Sequence, residues 1–414
     1  MNSKKIFLLF FMTLNLIILS ADGYYYNYKP KTEPINVYVN EDNKVLKDKI
    51  NETIKDKNFF IGVEIRNLKN EQLFDFNSDK YFRPASTTKL ITTYLSLKEF
   101  GIDKKFNTHI FLEESPSSEF NSDVYIKGYG DPFLTVNEYK FLLKKLKLSG
   151  INTIYGDLIF DFSFYDMKGY GEGWLWNDPQ PQILPLNIWT NNNALSKEIT
   201  YQNQKDRIKY LTVYLLDELG INFQGEIYEE KVASNLNPYF TNKSESLEDI
   251  LEFMNRESDN FISEHLFRNL LKNWELNDKN DYKDISRTIN NKILFTEDDI
   301  IITDGTGLST YNLVTPNIMN ELIIELIDDY SLEKIKDLLT TSYEKGIFYN
   351  RYNRSNVWVK TGTLYTDSAI SGILESKSGN YYIFTILINN AVEDIKNIKD
   401  LEIKIIETIY DNIK

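Results

Sequence analysis

A serine and a lysine three residues apart stand at the head of a long apolar run. Residues 83–89 read Arg-Pro-Ala-Ser-Thr-Thr-Lys, and the apolar run 90–100 predicts a buried helix. Side chains at i and i+3 share one helix face, so the Lys89 amine can reach the Ser86 hydroxyl without help from the tertiary fold. Pro84 favours a turn that would place Ser86 at the helix N-terminus, where developing negative charge is stabilised. The pair is a candidate nucleophile beside a candidate base.

Ser-x-x-Lys alone is weak evidence, because Ser331/Lys334 and Ser342/Lys345 have the same spacing. Two further motifs follow in the chain: Ser258-Asp259-Asn260, and residues 360–363, which read Lys-Thr-Gly-Thr. In this order the three motifs form the signature of active-site serine penicillin-binding proteins and β-lactamases. Each motif also has a structural interpretation, as a helix cap, a helix boundary or a strand end. Their joint occurrence in the right order favours catalysis.

Composition narrows the function further. The 414 residues suffice for two or three structural domains, and the net charge of -14 disfavours a nucleic-acid partner. With no cysteine, the chain can form neither disulfides nor a thiolate metal site. The two histidines, His109 and His265, are interpreted as half-exposed structural residues, so neither a zinc site nor a Ser-His-Asp triad is supported. We expect no cofactor and no metal.

The N-terminus has the features of an export signal. Lys4 and Lys5 precede the apolar run 6–19, and Ser20 and Ala21 supply small residues. The run is shorter than the roughly 20 residues of a membrane-spanning helix. Residues 1–21 are therefore predicted to be a signal peptide, and the protein is expected in the periplasm or cell envelope. Association with a membrane is expected only through an uncleaved signal.

Periodicity predicts an α+β fold in which helices flank an antiparallel sheet. Strands are predicted at 60–66, 72–76, 357–360, 369–374 and 381–388. Helices are predicted at 44–57, 90–100, 206–220, 246–254, 260–274, 316–330, 331–343 and 394–414. The first two strands should form a hairpin that leads into Ser86. The last three should form an antiparallel sheet covered by the terminal helix.

A region rich in aromatic residues and glycine separates the first two motifs. We predict an inserted domain at residues 101–235, within a catalytic domain made of residues 22–100 and 236–414. The Gly128–Gly130 cluster lacks the Lys-Ser/Thr ending of a phosphate loop and is interpreted as a structural turn. Trp174 and Trp176 could stack on carbohydrate, although alternate aromatic residues are more often core packing.

Together these motifs make the chain resemble the low-molecular-mass, class C penicillin-binding proteins, the D-alanyl-D-alanine carboxypeptidase/endopeptidases. Secondary motifs add to the resemblance, namely Gly-x-Gly-Asp-Pro at 128–132, Gly-Trp-x-Trp at 173–176, Asn192-Asn193 and Asp-Gly-Thr-Gly-Leu-Ser at 304–309. The resemblance implies a serine β-lactamase/transpeptidase-like fold. It also implies peptidoglycan stem peptides as substrates and β-lactam antibiotics as acylating inhibitors.

The resemblance assigns a role to each site residue. Ser86 would attack the carbonyl between two D-alanines, Lys89 would accept its proton, and Ser258 would pass a proton to the leaving amine. Asn260 would hold the acyl-side amide. Lys360 and Thr361 would orient the terminal carboxylate. The strand residues Gly362 and Thr363 complete the substrate-binding motif, and the backbone N–H groups of Ser86 and Thr363 would form the oxyanion hole.

The chain departs from the family pattern at three places. About 170 residues separate Ser86 from Ser258, where the family usually carries two inserted domains, so one insert is shortened or missing. Thr310 replaces an arginine. Asn177-Asp178 replaces the usual acidic pair and puts recognition of the peptide side chain in doubt.

Two alternatives stay open at this point. A serine β-lactamase would need a deacylating glutamate, but the corresponding position in the segment 273–277 is Asn273. A non-catalytic cell-wall binding or scaffolding protein would not be expected to keep the intact set Ser86, Lys89, Ser258, Asn260 and Lys360. The sequence does not choose between carboxypeptidase, endopeptidase and transpeptidase activity, which share an acyl-enzyme.

Overall fold

Two five-stranded sheets, a small three-stranded parallel sheet and the helices around them make up the described part of the chain. The computed structural model describes residues 43–165, 171–175, 183–189, 201–277, 280–293 and 300–413. The helices are α1 Lys44–Ile54, α2 Thr88–Phe100, α3 Val136–Leu148, α4 Tyr201–Glu218, α5 Leu247–Glu257, α6 Asn260–Asn273, α7 Tyr282–Lys292, α8 Pro316–Tyr330, α9 Leu332–Asp337 and α10 Ile395–Asn412. The strands are β1 Phe60–Asn67, β2 Gln72–Phe76, β3 Asn107–Leu112, β4 Glu119–Phe120, β5 Val124–Gly128, β6 Thr153–Ile154, β7 Leu158–Asp161, β8 Asn222–Phe223, β9 Ile227–Glu229, β10 Pro238–Lys243, β11 Val357–Thr363, β12 Ser368–Glu375 and β13 Tyr381–Asn389.

The first sheet is antiparallel and joins the two ends of the chain. Its strand order is β11-β12-β13-β1-β2, so the N-terminal hairpin adds to the three C-terminal strands. Alternate residues of β13 face opposite layers. Phe384 and Ile386 pack with α1 and α10, whereas Ile383 and Leu387 pack with the core that includes α2 and α8. Because both faces are covered, β12 and β13 are almost entirely buried. The predicted α+β fold with a helix-flanked antiparallel sheet is confirmed.

The second sheet lies within residues 107–243. Its order is β10-β3-β5-β7-β9, with antiparallel pairs at the β10 side and parallel pairs from β5 to β9. Leucine and isoleucine side chains of this sheet, α3 and α4 form a core of their own. The small parallel sheet has the order β4-β6-β8. Strand β10 pairs with β3 but lies entirely beyond residue 235, and the boundaries of the inserted domain stay a prediction.

Helix α6 connects this second region to the catalytic motifs. Asn260 is its first residue, and Asn269, farther along, donates from Nδ2 to the Gly130 carbonyl oxygen (2.8 Å). Gly130 has φ 75°, and a Cβ there would lie 2.4 Å from Asn269 Oδ1. The glycine turn is therefore a structural element packed on α6, as the sequence predicted.

The helix predicted at 331–343 is wrong beyond residue 337. Helix α9 ends at Asp337 because Thr340 instead pairs with β11. The Thr340 N–H donates to the Val359 carbonyl (3.1 Å), and the Val359 N–H donates to the Thr340 carbonyl (2.9 Å). Non-local strand pairing has overridden local helix preference here.

Several sequence predictions fall outside the described residues. They concern the signal peptide at 1–21, Trp176, Asn177-Asp178 and Asn192-Asn193. Among the described helices, none is both long and apolar enough to cross a membrane.

Candidate active site

Ser86 lies in a short 3-10 turn, Ala85–Thr87, that leads directly into α2. Ala85 has φ 48°, a left-handed conformation that costs energy for a residue with a Cβ. The turn is held from two sides. A Cβ on Gly307 would lie 1.8 Å from the Ala85 carbonyl oxygen, and a Cβ on Gly362 would lie 2.7 Å from the Ser86 nitrogen. Only glycine fits at these two contacts, and the Ser86 side chain is left half-buried.

Lys89 follows one helical turn after Ser86 and is fully buried. Its Nζ is 3.3 Å from Ser86 Oγ, 2.7 Å from Asn260 Oδ1 and 2.6 Å from the Thr306 carbonyl oxygen. The structure therefore brings together the serine and lysine of the first motif and the asparagine of the second. Lys89 and Asn260 are 171 residues apart in the chain.

Ser258 occupies the junction between α5 and α6. It adopts a left-handed conformation (φ 56°, ψ 40°) as the C-cap of α5, while Asp259 caps α6 by accepting from the Ile262 N–H (2.9 Å). Trp189 Nε1 donates to the other Asp259 oxygen (3.2 Å). The position of Ser258 is therefore fixed by the end of α5 and the start of α6, and Asn260 follows two residues later.

The third motif forms the end of edge strand β11. Lys360 is fully buried, and its Nζ donates to Ser258 Oγ (2.9 Å) and to the Thr361 carbonyl oxygen (2.8 Å). Gly362 contacts the Ser86 turn, and Thr363 is exposed. The structure therefore brings the three motifs together, through the hydrogen bonds of Lys89 and Lys360 and the contact of Gly362 with the Ser86 turn.

The two buried lysines hold their protons weakly. Burial lowers the pKa of Lys89 to about 8, against the opposing effect of the carboxylates Asp304, Asp259 and Glu264. Burial and the nearby charge of Lys89 lower the pKa of Lys360 well below its ordinary value. Lys89 can therefore be neutral near physiological pH, which a general base requires.

Sequence reasoning did not place the turn at residues 304–309 in the site. Asp304 organises this turn, because its carboxylate accepts from the Gly307 N–H (2.9 Å), the Ser309 N–H (3.0 Å) and Asn312 Nδ2 (2.7 Å). The turn presents the Thr306 carbonyl to Lys89. A backbone acceptor has no side-chain signature, although the glycines on either side of Thr306 do mark the turn.

Trp174 contacts the same turn from the other side. Its Nε1 donates to Asp304 Oδ2, and the neighbouring Gly173 carbonyl accepts from the Thr310 N–H (3.0 Å) and hydroxyl (3.1 Å). This tryptophan therefore packs on the turn that holds Lys89. Thr310 stands where the family pattern has an arginine. Its two hydrogen bonds attach the Gly171–Trp174 loop to this turn.

The two histidines lie apart from the hydrogen bonds of the site. His109 Nδ1 bonds to Thr241 Oγ1 (2.9 Å) in the second sheet. His265 is fully buried, not half-exposed as predicted, and burial lowers its pKa to about 3. Within the described ranges, no cluster of three or more His, Asp or Glu side chains could hold a metal ion.

Substitution of Gly362 by alanine should damage the site through the nucleophile's backbone. The new Cβ would lie 2.7 Å from the Ser86 nitrogen and 2.9 Å from Ala85 Cβ, so the turn must move. We expect a stability loss of about 1–3 kcal/mol and a loss of acylation rate of at least about tenfold. Acylation of the folded protein by benzylpenicillin, followed by mass spectrometry, measures the rate.

The matched control is Gly372→Ala in neighbouring strand β12. Its Cβ would meet the Trp358 carbonyl oxygen at 2.1 Å, away from Ser86. This variant should lose stability but keep the acylation rate of the folded protein. Equal rate losses in both variants would show that the effect of Gly362→Ala is general strain in the sheet.

An antiparallel sheet between helical layers, with a serine and a lysine of α2 and its turn beside a lysine of the edge strand, defines an active-site serine enzyme of the penicillin-binding class. The chain belongs to the D-Ala-D-Ala carboxypeptidase 3 (S13) family, whose model matches residues 46–210 and 187–408. It is accordingly a hydrolase of the D-alanyl-D-alanine carboxypeptidase type.

Individual relatives agree with this assignment. The chain is 22% identical over 419 residues to the D-alanyl-D-alanine carboxypeptidase DacB of Haemophilus influenzae, covering 80% of this chain and 85% of the relative. Its fold is similar to the crystal structure of penicillin binding protein 4 from the same organism (TM-score 0.72, 20% identity, 89% and 99% covered). It is also similar to a predatory peptidoglycan endopeptidase from Bdellovibrio bacteriovorus (TM-score 0.59, 19% identity, 86% and 94% covered).

Proposed function

We propose that the chain cleaves the D-Ala-D-Ala end of peptidoglycan stem peptides through an acyl-enzyme on Ser86. The observation that carries this proposal is the contact of Ser86 Oγ with a buried, weakly basic Lys89, whose other two hydrogen bonds are already made. A lysine in this setting can take the hydroxyl proton as the oxygen attacks.

In the acylation step, Ser86 Oγ forms a bond to the carbonyl carbon between the two D-alanines while Lys89 Nζ takes the hydroxyl proton. The carbonyl oxygen becomes an oxyanion, which the backbone N–H groups of Ser86 and Thr363 stabilise. The C–N bond then breaks, and Ser258 relays to the leaving amine of D-alanine the proton that Lys89 took up, so that Lys89 is neutral again and Ser258 keeps its hydroxyl proton. Water attacks the ester in the second step, which releases the shortened peptide acid and restores the Ser86 hydroxyl.

Lys360 and Thr361 receive the terminal carboxylate of the substrate, and Asn260 receives the acyl-side amide. The lowered pKa of Lys360 means that the protein's own groups stabilise its ammonium poorly. A substrate carboxylate supplies the missing opposite charge, which restores the proton affinity of Lys360. The positive charge of Lys360 in turn lowers the pKa of Lys89. Substrate binding and activation of the base are coupled in this way.

A β-lactam imitates the D-Ala-D-Ala amide, so penicillin should acylate Ser86. The position of Asn273 disfavours fast deacylation of that adduct. It ends α6, about 20 Å from Asn260 at 1.5 Å per residue, and donates to Glu99 Oε1 (2.6 Å). No carboxylate of the 273–277 segment can reach the ester. We therefore propose inhibition by penicillin and not resistance to it.

The substrate requires a location outside the cytoplasmic membrane. The predicted signal at 1–21 supports export to the periplasm or cell envelope, with residues 22–100 and 236–414 as the catalytic domain and 101–235 as the insert. We propose no nucleic-acid partner, and membrane association only through an uncleaved signal. Mass spectrometry of the protein recovered from cells would give its N-terminus directly.

The pH dependence of acylation should report the ionisation of Lys89. Only the neutral amine can accept the Ser86 proton, and its pKa is lowered to about 8. The acylation rate should therefore fall by about tenfold per pH unit below that value and level off above it. Stopped-flow measurement with a chromogenic β-lactam between pH 5 and 10 checks this. A rate that rises toward acid pH would contradict a lysine base.

The proposed function is tested by combining two assays on the purified full chain. Intact-protein mass spectrometry after incubation with benzylpenicillin should show one stable adduct. Release of D-alanine from a stem pentapeptide measures carboxypeptidase activity, and splitting of a cross-linked dimer into its two peptides measures endopeptidase activity. Neither adduct nor hydrolysis would leave a binding or scaffolding role, and rapid penicillin hydrolysis without an adduct would favour a β-lactamase.

A further inference from the structure

Three side chains clamp the peptide groups of Gly305. This residue belongs to the 304–309 turn and directly precedes Thr306, whose carbonyl accepts from Lys89. The Gly305 N–H donates to Glu264 Oε2 (3.0 Å), and the Gly305 carbonyl accepts from Thr92 Oγ1 (2.8 Å) and from Ser263 Oγ. A Cβ on Gly305 would lie 2.6 Å from Phe267 Cβ, so the turn packs directly on α6. The backbone before Thr306 is therefore fixed at both its donor and its acceptor.

The clamp determines where the Lys89 lone pair points. A neutral amine has two hydrogens and one lone pair. Asn260 Oδ1 at 2.7 Å and the Thr306 carbonyl at 2.6 Å accept the two hydrogens, which leaves the lone pair for the third neighbour, Ser86 Oγ at 3.3 Å. Both acceptors depend on α6, since Asn260 belongs to it and its residues Glu264 and Ser263 bind the N–H and the carbonyl of Gly305, which precedes Thr306.

We propose that Glu264 is a positioning residue, which aims Lys89 at Ser86 by binding the Gly305 N–H just before the Thr306 carbonyl and which acts on the Lys89 amine through its charge. The inference rests on the proposed function, because it assigns Lys89 the role of base. Glu264 does not touch Ser86 or the substrate-binding strand in any hydrogen bond of the structure's described part.

The charges around Glu264 and Lys89 decide whether loss of the Glu264 charge raises or lowers the pKa of Lys89. Glu264 faces Arg268, with Nε to Oε1 at 2.8 Å, and lies near Asp304; burial raises its pKa to about 7. Lys89 faces Asp304, Asp259 and Glu264, and it also acts on Lys360. The adjacent His265 stays neutral, because burial lowers its pKa to about 3. An ionised Glu264 raises the pKa of Lys89, so loss of that charge lowers it.

Two substitutions separate charge from positioning. Glu264→Gln keeps an oxygen that can accept from the Gly305 N–H but removes the negative charge. Glu264→Ala removes both. The matched control is Glu64→Gln, because Glu64 is also buried and also paired with an arginine, Arg66 at 2.9 Å. Glu64 lies in β1, away from Lys89.

The experiment measures the rate constant of acylation by benzylpenicillin from pH 5 to 10 on the full chain. Glu264→Gln should move the acid midpoint down by about one pH unit and keep the plateau within about threefold of the parent. Glu264→Ala should lower the plateau by at least about tenfold, because the Gly305 N–H loses its acceptor. Glu64→Gln should change neither quantity.

Circular dichroism and melting temperature identify the folded variants, and Glu264→Gln alone suffices if the alanine variant does not fold. A folded Glu264→Gln protein with the parent's midpoint overturns the proposal. So does an equal plateau loss in both Glu264 variants without a midpoint shift, since that is the result of a packing role. If the unmodified protein is not acylated at any pH, the proposed function is wrong, and this inference is wrong with it.

Discussion

Replacement of Ser86 by alanine should reduce acylation by benzylpenicillin at least about 10⁴-fold while leaving the fold intact. The Ser86 side chain is half-buried, and its hydroxyl is the third hydrogen-bond partner of Lys89 Nζ. Its removal deletes the atom that forms the ester, and no relaxation of the turn can replace it. Within the described part of the chain, the Ser86 hydroxyl is hydrogen-bonded to Lys89 alone, so stability should change by less than about 0.5 kcal/mol.

The control for this variant is Ser331→Gly, in a second Ser-x-x-Lys sequence. Ser331 has φ 89°, which glycine adopts without strain, and its lysine, Lys334, pairs with Glu248 at the surface. Acylation should be unchanged. Peptide mapping of the parent adduct completes the test, because an adduct on Ser258 in place of Ser86 would reverse the assignment of the nucleophile.

Lys89→Met should lower the acylation rate by about 10³-fold across the whole pH range. Methionine fills a similar volume but can neither accept a proton nor donate to Asn260 and Thr306. The other buried amine, Lys360, is bonded to Ser258 and Thr361 and is not placed to replace it. The two orphaned acceptors cost about 1–3 kcal/mol each, and removal of a buried ammonium offsets part of that loss.

The measurement is the same acylation assay, with the melting temperature of each variant recorded beside it. Lys334→Met is the control, since it removes the exposed lysine of the other Ser-x-x-Lys sequence and should keep the parent rate. A Lys89→Met protein that retains more than a tenth of the parent rate would assign the proton acceptance to another group. A normal rate restored at pH 10 would have the same meaning.

The part of the site that could be predicted is the part that local geometry determines. Ser86 and Lys89 are neighbours because they are one turn apart, and the hairpin before them follows from alternation of apolar residues. Ser258 and residues 360–363 were found by motif, and the fold brings them together across 102 residues at the Lys360–Ser258 hydrogen bond. Local pattern alone could not have paired them.

The missed features are non-local or lie in the backbone. The Thr306 carbonyl is invisible in a sequence, and α9 stops early because Thr340 finds a partner in β11. Glu264 did leave a signal. It lies four residues after Asn260 in α6, hence on the same face, and it is a carboxylate among buried apolar neighbours. A charged residue on the buried face of a helix is a hint of an internal partner.

The hydrogen bond between Gly130 and Asn269 limits how far this enzyme could be trimmed. One half of α6 holds the lysine and its backbone support, and the other half rests on the glycine turn of the second sheet. Deletion of residues 101–235 would remove the glycine turn on which α6 packs and would expose the Asn269 amide. The segment predicted to be an insert thus supports the helix that binds Lys89, and we expect a shortened version of the protein to need it.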